Sequence, residues 1–196
     1  MKKIVITGGP CAGKTTAIAF VKKELENKGY KVLCVPETAS ELILGGVTPW
    51  GMKSLDYQLC QMKLQLYKEA IFKEAAEKIG LVDKTVIICD RGMMDNKAYM
   101  TDEDFNEAFK ILNLSYDEIL NSYDCILHME TAAKNAESFY TLENNNARTE
   151  TVEEAIALDD RLINAWKNHP AFVKIEGKNN FEEKMNCLLE KLLHIL

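Results

Sequence analysis

The chain has 196 residues, 47% hydrophobic and 28% charged, with a formal net charge of −6. This composition supports a sizeable buried core and excludes a disordered or low-complexity polypeptide. The acidic balance disfavours a nucleic-acid partner, because phosphate backbones reward basic surfaces. No apolar run reaches 18 residues, so neither a signal peptide nor a membrane span is expected.

The first apolar run, Lys3–Thr7, reads as a buried strand and leads directly into Gly8-Gly9-Pro10-Cys11-Ala12-Gly13-Lys14-Thr15. That is the full G-x-x-x-x-G-K-[ST] pattern, with a strand before it and a helix, Lys14–Lys28, after it. Gly8 and Gly13 permit backbone angles that a side chain forbids. The loop amides can then form an anion nest at the positive end of the helix. Residues Gly8 to Thr16, with Gly9, Pro10, Cys11 and Ala12 among them, are therefore the expected nucleotide cradle. Lys14 is expected on the β- and γ-phosphates, and Thr15 is expected to place its hydroxyl on Mg²⁺.

A second strand, Lys31–Val35, ends just before Pro36-Glu37-Thr38. The carboxyl ends of strands in an open α/β sheet line the ligand crevice. Glu37 is thus a candidate base or metal-side carboxylate, although a carboxylate at a helix start near Thr38 explains it too. Gly45–Gly51 reads as a loop, and Ser54–Lys78 as a long helix with Ser54 as its cap and Gly80 past its end. Gln58 and Gln65 share one side of that helix, and a polar exposed face is the simpler explanation for Gln65.

The third strand, Thr85–Cys89, is followed by Asp90-Arg91-Gly92. Asp90 has the position of a metal-side aspartate, and the next residue is an arginine rather than a second carboxylate. Two amphipathic helices follow, Asp102–Leu112 and Ser115–Tyr123, and then a strand, Cys125–Met129, in which His128 reads as a satisfied core histidine. Arginine is scarce: 3 of 24 basic residues, at 91, 148 and 161. Arg148 stands alone in an asparagine-rich segment, which fits a flap closing over phosphates, within a lid spanning about 131–168. Arg161 either reaches the same phosphates or pairs on a solvated face. Tyr99 and Tyr140 read as packing residues. Thr151–Lys167 opens with a capping box, Thr151 to Glu154. A last strand, Phe172–Ile175, precedes Gly177-Lys178-Asn179-Asn180 and a closing helix, Asn180–Leu196. The six cysteines lack zinc-ligand spacing and read as free thiols of a reducing, cytoplasmic compartment. No repeat or linker is visible, so residues 1–196 read as one domain.

GGPCAGKTT at 8–16, VPETASELI at 35–43, CDRGMMDNKAYM at 89–100, ARTET at 147–151 and Trp166-Lys167-Asn168-His169-Pro170 resemble one family. It is the AAA-type P-loop domain shared by the ribosylnicotinamide-kinase region of NadR and the TRP-translocation-defect protein, and the likeness extends from Lys2 to about Leu193. The resemblance implies a three-layer α/β/α P-loop NTPase fold with five parallel strands in the kinase-type order 2-3-1-4-5. It implies that Gly13, Lys14 and Thr15 hold the phosphates of ATP or GTP, and that Asp90, Arg91 and Arg148 take metal-side and lid positions. No N-K-x-D motif is present, which favours adenine. The expected activity is transfer of the γ-phosphoryl of MgATP to a small nucleoside- or nucleotide-like acceptor. The catalytic set would be Lys14, Glu37, Asp90, Arg91 and Arg148, with Thr15 and Asp90 on the metal. A nucleotide-gated ATPase or GTPase module without an acceptor is the alternative, and a homodimer is left open.

Overall fold

The computed structural model describes residues 1–135, 151–177 and 180–196. Five strands form at the expected places: β1 (Lys2–Thr7), β2 (Lys31–Val35), β3 (Thr85–Asp90), β4 (Cys125–Met129) and β5 (Phe172–Ile175). They pair in parallel in the order β2-β3-β1-β4-β5. The register sets Ile6 beside Asp90 on one side of β1 and Thr7 beside His128 on the other. The three central strands are apolar on both faces, as a parallel sheet covered on both sides requires.

Alternation along each strand divides the core in two. Ile4, Ile6, Val86, Ile88, Leu127 and Met129 face α1 (Lys14–Asn27) and the closing helix α8 (Phe181–Ile195). Val5, Ile87, Cys89 and Ile126 face the opposite layer, where Met62, Phe105, Leu120 and Trp166 are buried. That layer holds α3 (Ser54–Ile79), α4 (Asp102–Ile111), α5 (Tyr116–Asn121) and α7 (Val152–Trp166). Two short helices, α2 (Thr38–Leu44) and α6 (Ala132–Asn135), follow β2 and β4. A 3-10 segment at Met93–Tyr99, absent from the sequence reading, follows β3.

The helix ends follow their local chemistry with two exceptions. Thr151 accepts from the Glu154 amide at 3.2 Å and Glu154 accepts from the Thr151 amide at 2.8 Å, completing the box that opens α7. Gly80 closes α3 at φ 78°, a conformation that favours glycine. The cap of α3, however, is Lys53 with no side-chain bond, and Ser54 is already helical. Asn180 caps α8 through the Glu182 amide at 2.9 Å, and Glu183, three residues on, returns no capping-box bond. All six cysteines are free, with Cys89 and Cys125 buried and Cys60 exposed. Among the described residues no helix is long and apolar enough to cross a membrane.

Leu188 is fully buried and pins α8 to the sheet. Leu188→Ala is expected to lower unfolding stability by about 3 kcal/mol in urea titrations, the usual loss for a core leucine.

Candidate functional site

All five strands point the same way, so their carboxyl ends meet at one edge of the sheet. The loop after β1, Glu37 after β2, Asp90 and Arg91 at the end of β3, and Glu130 and Thr131 after β4 therefore become neighbours, although the sequence spreads them over more than a hundred positions. β1 lies between β3 and β4, where chain connections diverge and a crevice opens.

The loop is a tightly specified turn. Gly8 has φ 148°, and a Cβ there would stand 2.0 Å from the Met129 carbonyl oxygen. Gly13 has φ 84°, and a Cβ there would stand 2.7 Å from Phe181 Cε2. Only glycine meets both demands. Gly13 is also the N-cap of α1, and no side chain caps that terminus. The first amides of the helix are left without a side-chain cap, a terminus able to receive an anion.

Lys14 folds back over the loop and donates to the carbonyls of Gly8 at 3.0 Å and Gly9 at 3.3 Å. Burial, then the neighbouring Arg91 charge, brings its ammonium down to about 8, against the opposing pull of Asp90, Glu37 and Asp95. Thr15 and Thr16 are exposed in the first turn of α1. Asp90 Oδ1 is buried without a hydrogen-bond partner among the described residues. Burial raises its pKa, with Lys14 acting against it. An unpartnered buried carboxylate oxygen is costly unless a cation or proton meets it, so Asp90 fits a divalent cation, with the Thr15 hydroxyl and phosphate oxygens as further hard ligands.

Arg91 is the hub of the charges beside the loop. Its φ is 69°, uncommon for a residue with a side chain. Its amide donates to the Ile6 carbonyl at 3.1 Å, and its carbonyl accepts from Gln65 Nε2 at 3.3 Å. The guanidinium donates to Glu37 Oε1 at 2.6 Å and to the Gly8 carbonyl at 3.4 Å, and lies 3.9 Å from Asp95. Glu37 also accepts from the Ser40 hydroxyl. Burial alone would raise the Glu37 carboxyl, but Arg91 and the Ser40 bond outweigh it and hold the pKa at about 2. Gly92 has no room for a side chain, because a Cβ would lie 2.7 Å from the Trp166 ring.

Several residues that build the site are not among the expected site residues. Asp95 is buried, accepts from the Gly92 amide at 2.6 Å and from the Thr7 hydroxyl, and so ties the Arg91 turn to β1. Asp159 of α7 is fully buried. Its Oδ1 accepts from the Gly9 amide at 2.9 Å, from His128 Nε2 at 3.1 Å and from the Thr131 amide at 3.3 Å, and its Oδ2 accepts from Lys134 at 2.8 Å. Lys184 of α8, also buried, donates to the Ala12 carbonyl at 3.0 Å and to the Glu130 carbonyl at 2.6 Å. A buried charge two or more elements away from the loop has no local sequence signal; its partner exists only after folding.

Other sequence expectations change. Gln65 is buried, not exposed, and also donates to Glu69, because the side of α3 that carries it packs on the Arg91 turn. Gln58 and Gln61 are buried beside it, and Gln61 donates to Asn96 at 2.9 Å. His128 is buried and meets Asp159, but its Nδ1 has no partner among the described residues, so it is only half satisfied. Arg161 does not engage the loop; its Nε donates to the Ala98 carbonyl at 2.9 Å. It lines a cavity of about 660 Å³ with Ser54, Tyr99, Thr101 and Glu154. Tyr99 is the link between that cavity and the site, with its ring centroid 5.9 Å from the Arg91 guanidinium carbon. Arg148, Tyr140, Lys178 and Asn179 lie outside the described residues.

Residues 3–184 match a family described as an AAA domain. No curated protein matches the chain. Among solved structures, the fold is similar to deoxyadenosine kinase from M. mycoides with the products dCMP and a flexible dCDP bound. The TM-score is 0.60 at 18% identity, covering 98% of this chain and 99% of that one. The same kinase with dATP bound matches at a TM-score of 0.54 and 18% identity, over 98% and 100% of the two chains.

Glu37 offers a direct check on the Arg91 pair. Its pKa lies below its ordinary value of 4.5, at about 2 in the folded state. The stability it contributes is therefore complete above about pH 4.5 and is lost as pH falls toward 2. The stability difference between the native protein and Glu37→Gln should shrink over that interval in denaturant titrations at successive pH values; a constant difference would rule the pair out as its source.

Proposed function

The chain belongs to the AAA domain family, and from that premise we propose that it is a phosphotransferase moving the γ-phosphoryl of MgATP to a hydroxyl of a small, nucleoside- or nucleotide-like acceptor. The observation that carries this reading is Arg91, ion-paired to Glu37 at 2.6 Å while its guanidinium also reaches the phosphate loop at Gly8. A nucleotide held only for binding has no need of a guanidinium and carboxylate poised between the loop and a cavity. The similarity to deoxyadenosine kinase supports the same reading, as does the resemblance of residues 89–100 and 147–151 to the NadR kinase region.

In this reading residues 1–196 act as one domain. The amides from Gly8 to Thr16 and the Lys14 ammonium grip the triphosphate. Thr15 and Asp90 would hold Mg²⁺, which when bound would supply charge neutralisation of the phosphates. Arg91 orients the acceptor and meets the charge that develops on the transferring group. Glu37 accepts the hydrogen bond of the attacking hydroxyl once the acceptor displaces part of its contact with Arg91. Its low pKa is no obstacle, because phosphoryl transfer through a loose transition state needs little base strength. Tyr99 and the cavity beyond it give the acceptor room, and Gln65 supports the Arg91 turn from α3. Arg148 would add a further charge to the phosphates, whereas Val152–Trp166, at the end of the segment expected as a lid, packs against the sheet.

The deciding experiment measures ADP release from MgATP with a panel of nucleosides, nucleotides and ribosylnicotinamide. Acceleration by one acceptor is expected. Slow hydrolysis indifferent to every acceptor would favour a nucleotide-gated module instead. Lys14→Ala should weaken MgATP binding by about 10- to 100-fold in calorimetry, with the circular dichroism spectrum unchanged.

A further inference from the structure

Lys184 is a lysine in an unusual place. It is 5% exposed, on the face of α8 turned toward the sheet, and no carboxylate lies within ion-pair distance of its ammonium among the described residues. Lysines are rarely buried without a paired charge, since desolvating an ammonium is expensive. Here its hydrogen bonds go to two main-chain carbonyls, those of Ala12 and Glu130. One is in the phosphate loop and the other just past the end of β4.

The geometry of the peptide unit gives this contact a consequence. In a planar trans peptide the C=O and the N–H point in opposite directions. With the Ala12 carbonyl drawn toward Lys184, behind the loop, the N–H of Gly13 is turned to the front. Two other peptides are set in the same way. Thr131 Oγ1 donates to the Pro10 carbonyl at 2.5 Å, which turns the Cys11 N–H forward. Asp159 accepts the Gly9 N–H from behind, which turns the Gly8 carbonyl toward Lys14 and Arg91. Three alternate peptides of the loop are thus held from the rear by three different elements. Lys184 is the one that adds a positive charge directly behind the cradle. Burial lowers its ammonium to about 8, with Asp159 and Glu130 opposing the shift, so it stays largely charged at neutral pH.

We propose that Lys184 is a positioning residue for the phosphate loop, holding the Ala12–Gly13 peptide so that the Gly13 amide presents its hydrogen to a bound phosphate. This rests on reading the loop as the phosphate site. It does not depend on the acceptor, and it assigns to α8, far along the chain, a part in nucleotide binding.

The test compares MgATP binding by the native chain, Lys184→Met, Lys184→Gln and Leu188→Ala, by calorimetry at a temperature where each is folded. Leu188 lies one turn along the same helix and touches only core, so it reports what destabilising α8 does by itself. Lys184→Met should lose about tenfold or more in affinity, Lys184→Gln less, and Leu188→Ala should bind as the native chain does. In ¹⁵N-labelled protein the Gly13 amide proton should move downfield on adding MgATP to the native chain and stay in place in Lys184→Met. Native-like affinity in Lys184→Met, an equal loss in Leu188→Ala, or an unchanged Gly13 response overturns the inference. If Lys184→Met does not fold, Lys184→Gln decides by the same criteria. A folded native chain that binds no MgATP would instead sink the reading of the loop itself, which keeps the two failures apart.

Discussion

Parallel pairing on both sides of β1 is the constraint on which the site depends. Because β3 and β4 flank it in the same direction, the end of β1 opens between Asp90 and Arg91 on one side and Glu130 and Thr131 on the other. The main chain must turn there within a very small space. Gly8 does so with its Cα against the Met129 carbonyl, where no side chain fits. The amide nest, the uncapped start of α1 and the returning Lys14 all follow from that turn.

Around the loop the charges sort into two groups with different tasks. At the front stand Lys14, Arg91, Glu37 and Asp90, with one oxygen of the buried Asp90 unpartnered among the described residues. At the back stand Asp159, His128, Lys134 and Lys184, whose hydrogen bonds go mostly to one another and to loop peptides. Glu37 is driven low by Arg91 and Ser40 against the effect of its burial, while burial pushes Asp90 up against the pull of Lys14. The back is closed off from water, where a hydrogen bond is stronger and an unmet one more costly. A rigid rear and an unsatisfied front are what preorganised phosphate binding requires.

The helix α7 joins these halves to each other. Its Asp159 grips the Gly9 amide, while its Trp166 packs beneath Gly92, so closely that this position admits only glycine. The turn carrying Arg91 and the loop carrying Lys14 are therefore referenced to one helix. Gln65 and Asp95 complete the support of Arg91 from α3 and from its own 3-10 segment, which steadies a residue whose backbone angle is unfavourable by itself.

Much of this was legible in the one-dimensional chain. The strands at 31–35, 125–129 and 172–175, the glycine pattern at 8–13 and the box at 151–154 are local: sterics, apolar runs and neighbouring caps determine them within a few residues. Glu37 and Asp90 could be placed at strand ends, and hence at a shared edge, as soon as the sheet was read as parallel. What stayed hidden were the groups whose meaning is a partner far away. Gln65 looked like surface, His128 like a fully satisfied core residue, and Asp159 and Lys184 carried no local signal. Only the tertiary structure decided which sides of α3, α7 and α8 turn inward against the loop, because a charge tolerates burial only where long-range packing supplies the atoms that hydrogen-bond it.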